Sequence, residues 1–109
     1  MLGYGSGVNA PGRCTGCDAG GDSSTEPYLV SHSLLLAHAE AVNIYRVRYQ
    51  REQKGVIGIA LNSDFYMPQD PTNTDHQMAA EHLQQFLLGW YADPIFKTGD
   101  YPAVMRKNV

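Results

Sequence analysis

"VIGIALN", residues 56–62, is a continuous apolar run rich in β-branched side chains, without the in-and-out alternation of a strand that has one wet face. Such a run suits a strand buried on both faces, as in a parallel sheet covered by helices. Its flanks agree with that setting. Residues 25–53 read as a helix upstream, residues 75–91 as a second helix downstream, and the strand occupies 55–62 between them. One parallel strand cannot make a sheet, and both of its edges would lie unpaired. The class is α/β, and the order loop, helix, strand, loop, helix describes a slice of a larger sheet.

The first helix rests on Leu34, Leu35, Ala37, Ala41, Val42, Tyr45 and Tyr49, which recur at steps of three and four, and on the cationic last turns with Arg46, Arg48 and Arg51. At its start, Ser23 and Glu26 fit a capping box, with Pro27 tolerated in the first turn because its N–H would lack a helical partner. Gly55 ends it. The second helix carries Ala79, Leu83, Phe86, Leu87 and Trp90 on one face and is expected to stop at "DPIFKTGDYP", with a short final helix after Pro102. Between strand and helix, "DFYMPQDPTNT" reads as a loop. Residues 1–24 hold seven of the eleven glycines and read as one long loop, a length suspicious in a small domain unless the loop serves an active site.

Composition narrows the function classes. The 109 residues carry a net charge of -3, with eight Lys+Arg and no cationic run longer than Arg106-Lys107, so a nucleic-acid partner or an anionic membrane surface is not expected. The longest mostly apolar run, 33–42, is interrupted by His38 and Glu40 and falls far short of the ~20 residues of a bilayer span. No basic-then-apolar leader opens the sequence. Cys14 and Cys17 form a lone CxxC. Zinc would need four ligands, and His32, His38, His76 and His82 come in pairs six apart, on different helix faces. A redox pair should open a helix after a strand, whereas "CDAGGDSS" follows here; a local disulfide pinning the loop fits better and implies an oxidising compartment.

Four blocks, "GYGSGVNAPGRC", "GGDSSTEPYLVSHSLLLAHAEAV", "QKGVIGIALNSDFYMP" and "FLLGWYADPIFKTGDYPAVM", strongly resemble consecutive blocks of plant β-glucosidases of glycoside hydrolase family 1, and together they cover essentially the whole chain. The resemblance implies a piece of an eight-stranded (β/α)8 TIM barrel, from the loop after strand 4 through helix 4, strand 5 and helix 5, in a family whose sites lie at the C-terminal ends of the strands. It implies a parent that hydrolyses β-glucosides with retention, without metal or organic cofactor, directed to the secretory route, vacuole, cell wall or plastid.

The same resemblance assigns the residues. The family's acid/base glutamate belongs to Thr-Phe-Asn-Glu-Pro, expected immediately upstream of "GYGSG", and its nucleophile to Ile/Val-Thr-Glu-Asn-Gly, expected far downstream. Glu26 follows Thr25 instead of Asn and matches the separate Thr-Glu-Pro-Tyr at a helix start, so it is expected to cap a helix and no catalytic residue is expected among the 109. Retention needs two carboxylates about 5 Å apart across the scissile bond. What the resemblance leaves is a partial wall of the site: Asp64 and Phe65 match the polar and aromatic positions lining the pocket for the group attached to glucose, although the family more often has Trp at the second. Cys14 and Cys17 match a loop in which many plant members form a disulfide. Trp90 and Tyr91 are expected to pack the second helix, and the histidines to lie at the surface or the core edge. Two other readings compete, a small non-catalytic interaction protein from a truncated gene and a thiol protein using Cys14 and Cys17.

Overall fold

In the computed structural model, which describes residues 2–109, the chain divides into two units, 1–57 and 58–109. Residue 1, the first of the expected 1–24 loop, lies outside the described residues. The remainder of that loop is a chain of turns closed on itself: Arg13 N–H donates to Gly3 O (2.9 Å), Cys14 N–H to Gly20 O (3.1 Å) and Gly12 N–H to Asn9 O (2.8 Å), and the Ala10–Pro11 bond is cis. Thr15 and Ser23 bond each other reciprocally, each backbone N–H donating to the other's hydroxyl, while Ser23 Oγ donates to Gly5 O at 2.7 Å.

Helix α1 spans Glu26–Arg48 and α2 Gln50–Gln53. The expected 25–53 helix is thus interrupted at Tyr49, whose φ of -122° leaves the helical range. Lys54, in the left-handed region at φ 53°, closes α2. Gly55 follows because its missing side chain makes room for the Tyr45 hydroxyl, 2.5 Å from where a Cβ would stand. The shielded seam of α1 is Pro27, Ser31, Leu35, His38, Val42 and Tyr45, while Leu34, Ala37 and Ala41 of the expected stripe are exposed. A serine can sit buried on that seam because its hydroxyl donates to Pro27 O at 2.7 Å, one turn back.

The expected capping box does not form. Ser23 is occupied within the loop, and Glu26 accepts from Arg13, whose two charge-assisted bonds outcompete a neutral backbone donor. Asp22 serves the helix start instead: its carboxylate accepts from Ser24 N–H (2.8 Å) and Ser24 Oγ (2.6 Å), which lowers its pKa, and its carbonyl accepts from Glu26 N–H at 2.9 Å.

The strand expected at 55–62 is absent as a paired strand. A strand is held by its ladder, and among the described residues no segment pairs with this one; Val56, read as doubly buried, is 97% exposed. The stretch has no regular secondary structure.

In the second unit, α3 spans Thr74–Gln84, capped by Asn73, whose side chain accepts from Asp75 N–H (2.9 Å) and His76 N–H (3.4 Å). The helical path continues as a π turn over Gln85–Gly89, α4 over Trp90–Ala92 and a second π turn over Asp93–Lys97. The second helix therefore outlasts its expected end at 91. Pro94 stands at the start of the second π turn, where its missing N–H is tolerated, and the widened turn closes through Thr98 N–H to Asp93 O at 2.9 Å. Helix α5, Ala103–Asn108, follows Pro102.

Among the described residues the buried large apolar side chains are Trp90 and Met105, with Trp90 stacked on Tyr91 at a centroid distance of 5.7 Å. Gly89 lets the chain close here, since a Cβ on it would meet Gln85 Oε1 and lie 3.1 Å from Pro102 Cγ. Among the described residues no helix is long and apolar enough to cross a membrane.

Candidate functional site

Asp64 and Phe65 stand on a short turn that has no regular structure of its own. One side chain holds it. Gln84, the last residue of α3, donates from Nε2 to Ser63 Oγ and to Asp64 O, both at 3.2 Å, and accepts at Oε1 from Tyr66 N–H at 3.3 Å. Its amide thus stands in for the neighbouring strand that the backbone here lacks, pairing a C=O and an N–H two residues apart. Ser63 Oγ also donates to Asp64 O (2.9 Å), and the Tyr66 hydroxyl approaches Asp64 Oδ2 at 3.5 Å. The result is a backbone fixed on both sides of Phe65, which is 81% exposed and follows an exposed Asp64 in the chain. Flat aromatic surface next to an acceptor is a combination that can stack on a ring and bond its rim.

The neighbouring turn is built the same way. Asp70 accepts from Thr72 N–H (2.8 Å) and Thr72 Oγ1 (2.7 Å), and these bonds lower its pKa. Asp70 N–H donates to His76 Nδ1 at 3.2 Å, so His76 acts as a loop anchor.

In the first unit, Cys14 and Cys17 form a disulfide with Cα atoms 5.0 Å apart. Arg13, beside it, grips Glu26 bidentately, Nε to Oε2 at 2.9 Å and Nη2 to Oε1 at 2.5 Å, and donates from Nη1 to Ala19 O at 3.2 Å. The guanidinium's hydrogen bonds, aided by its charge, hold the Glu26 carboxyl below the ordinary carboxylate range. A carboxyl so held stays ionised and is a poor proton donor.

Two of these features carry no signature in the sequence. Gln84 sits on the polar side of a helix, 18 to 21 residues from its partners, and glutamine is ordinary there. Arg13 and Glu26 are opposite charges 13 residues apart across a glycine-rich loop whose path no periodicity describes.

The whole chain, residues 1–109, matches the profile of Glycosyl hydrolase family 1. Beta-glucosidase 26 of Oryza sativa subsp. japonica is 54% identical over 108 residues, 99% of this chain and 21% of that protein. Furostanol glycoside 26-O-beta-glucosidase of Hellenia speciosa is 52% identical over 111 residues, 99% of this chain and 19% of that protein. Among solved structures, a rice β-glucosidase mutant in a covalent complex with Glc superposes with a TM-score of 0.93 at 46% identity, over 97% of this chain and 23% of that one. The chain spans about a fifth of the length of these relatives. Its fold is a short piece of their α/β TIM barrel, which is why a strand-like segment and its flanking helices occur without a closed sheet. Across its full length, from the glycine-rich loop to the last helix, this chain belongs to glycosyl hydrolase family 1 and is similar to plant β-glucosidases.

Proposed function

We propose that the chain is a segment of a retaining hydrolase of β-linked glucosides, that it contributes Asp64 and Phe65 to the wall facing the group attached to glucose, and that by itself it does not catalyse. The observation that carries this reading is the state of Glu26. It is the sole glutamate followed by proline in the sequence, and both of its oxygens are taken by Arg13. Retaining hydrolysis needs one carboxyl to protonate the leaving oxygen and a second to attack the anomeric carbon. Neither Asn-Glu-Pro nor Thr-Glu-Asn-Gly occurs in the 109 residues.

The test is release of p-nitrophenol from its β-glucoside by the purified chain, beside a graft in which the chain replaces the equivalent stretch of rice Beta-glucosidase 26. The chain alone is expected to release no more than buffer does, and the graft to turn over. Release by the chain alone that disappears in Glu26→Gln would refute the reading and make Glu26 the acid.

The same graft reports the loop anchor. Because the folded-state pKa of Glu26 is depressed, the ion pair's contribution is complete above the ordinary value of 4.5 and is lost as pH falls through the depressed one. A carboxyl carbon signal assigned to Glu26 is expected to titrate below 4.5 and to return to that range in Arg13→Leu. A midpoint unmoved by Arg13→Leu would show that the pair does not form.

A further inference from the structure

We propose that Gln84 is a positioning residue for recognition of the group attached to glucose, acting through the turn that carries Asp64 and Phe65. The inference rests on the reading of those two residues as the substrate-facing wall. Within this chain Phe65 is 81% exposed, so the direction of its ring here follows from the backbone on either side of it. That backbone is held by the Gln84 amide, with Nε2 on Asp64 O and Ser63 Oγ at 3.2 Å each and Oε1 on Tyr66 N–H at 3.3 Å, beside the local bond from Ser63 Oγ to Asp64 O at 2.9 Å. One orientation of the amide serves all three, because the reverse would set oxygen against the Asp64 carbonyl oxygen and nitrogen against the Tyr66 N–H.

Gln84 is also the residue at which α3 gives way to the π turn over Gln85–Gly89. Its backbone stays on the regular helix and fixes where the amide starts from. Replacing Gln84 by an apolar residue of similar length would leave the helix intact and free the turn. The ring of Phe65 would then sample many directions, and a flat ligand would have to order it on binding, a loss that falls on ligands large enough to reach it. Compact ligands would not notice.

The experiment uses the graft in the rice host and compares kcat/KM for 4-methylumbelliferyl β-glucoside, whose aglycone is a flat fused ring, with kcat/KM for methyl β-glucoside. The ratio of the two is independent of how much enzyme is folded. In Gln84→Leu the ratio is expected to fall about three- to tenfold, the range an aromatic contact spans. Gln84→Glu keeps an oxygen for Tyr66 N–H but loses both donated bonds, and is expected to fall in between. Phe65→Ala, measured alongside, is expected to lower the ratio at least as far as Gln84→Leu.

A ratio unchanged in both Phe65→Ala and Gln84→Leu would remove the substrate-facing reading and the inference with it. A ratio lowered by Phe65→Ala but not by Gln84→Leu would overturn the positioning role and leave that reading standing. Equal losses on both substrates in Gln84→Leu would make the residue a structural one only.

Discussion

The isolated 109-residue chain is expected to melt without a cooperative transition. Its buried large apolar side chains, among the described residues, are Trp90 and Met105, both in the second unit. Large apolar residues that a self-sufficient domain would cover stand open: Leu29 at 65%, Val47 at 75%, Val56 at 97% and Phe65 at 81% exposed. Helices in proteins draw most of their stability from packing an apolar face rather than from intrinsic propensity. For α1 that packing is a single seam centred on Leu35, Val42 and Tyr45, each of them only half-buried. Circular dichroism of the chain alone should therefore show partial helix, from the 23 residues of α1 above all, that declines gradually with temperature. A sharp transition with an enthalpy near 60–80 kcal/mol, as expected of a ~100-residue two-state domain, would show instead that the chain is a domain in its own right. In the graft, the same helical signal should disappear together with that of the host.

How far the sequence could be read divides along a physical line. Local periodicity and turn chemistry are properties of neighbours, and the two helices, the glycine-rich loop and the helix after Pro102 were legible from them. The limits of the second helix were not, because Pro94 looks like a stop and is in fact absorbed at the second position of a π turn. "VIGIALN" is apolar enough for a doubly covered strand, yet a strand is completed by its partners, and none pairs with it among the described residues. The candidate site divides in the same way. Asp64 and Phe65 were reached through four blocks of family resemblance. The groups that hold the two loops, Gln84 on the turn of Asp64 and Phe65 and, in the first unit, Arg13 on Glu26, depend on tertiary approach and on ordinary residue types, so nothing local marks them. The capping box failed for a related reason: Ser-x-x-Glu is a local pattern, and a guanidinium from 13 residues away is a stronger partner for that carboxylate than a backbone N–H.

Gly7→Val is expected to be a strongly damaging substitution in the loop. Gly7 has φ +68°, in the left-handed region, where a residue with a side chain loses about 1–2 kcal/mol. A Cβ there would also run into Cys17 Sγ and lie 3.4 Å from Cys14 Sγ and from Gly12 O. The sulfur atoms cannot swing aside as the tip of a flexible side chain would, because each is bonded to the other. Overpacking of that kind adds about 1–3 kcal/mol, for a combined loss of about 2–5 kcal/mol. Gly12 separates the two contributions. At φ +74° it carries the same backbone strain, but its nearest neighbour is Gly7 O at 3.8 Å, so Gly12→Val should lose the strain alone. Urea midpoints of the graft should accordingly fall in the order unsubstituted, Gly12→Val, Gly7→Val. Carrying Gly7→Val into a background of Cys14→Ser and Cys17→Ser frees the obstructing atoms to rotate away, so its effect there should shrink to that of Gly12→Val. An undiminished effect would mean that the disulfide is not the wall Gly7 is shaped against, and that strain in the backbone accounts for the whole of it.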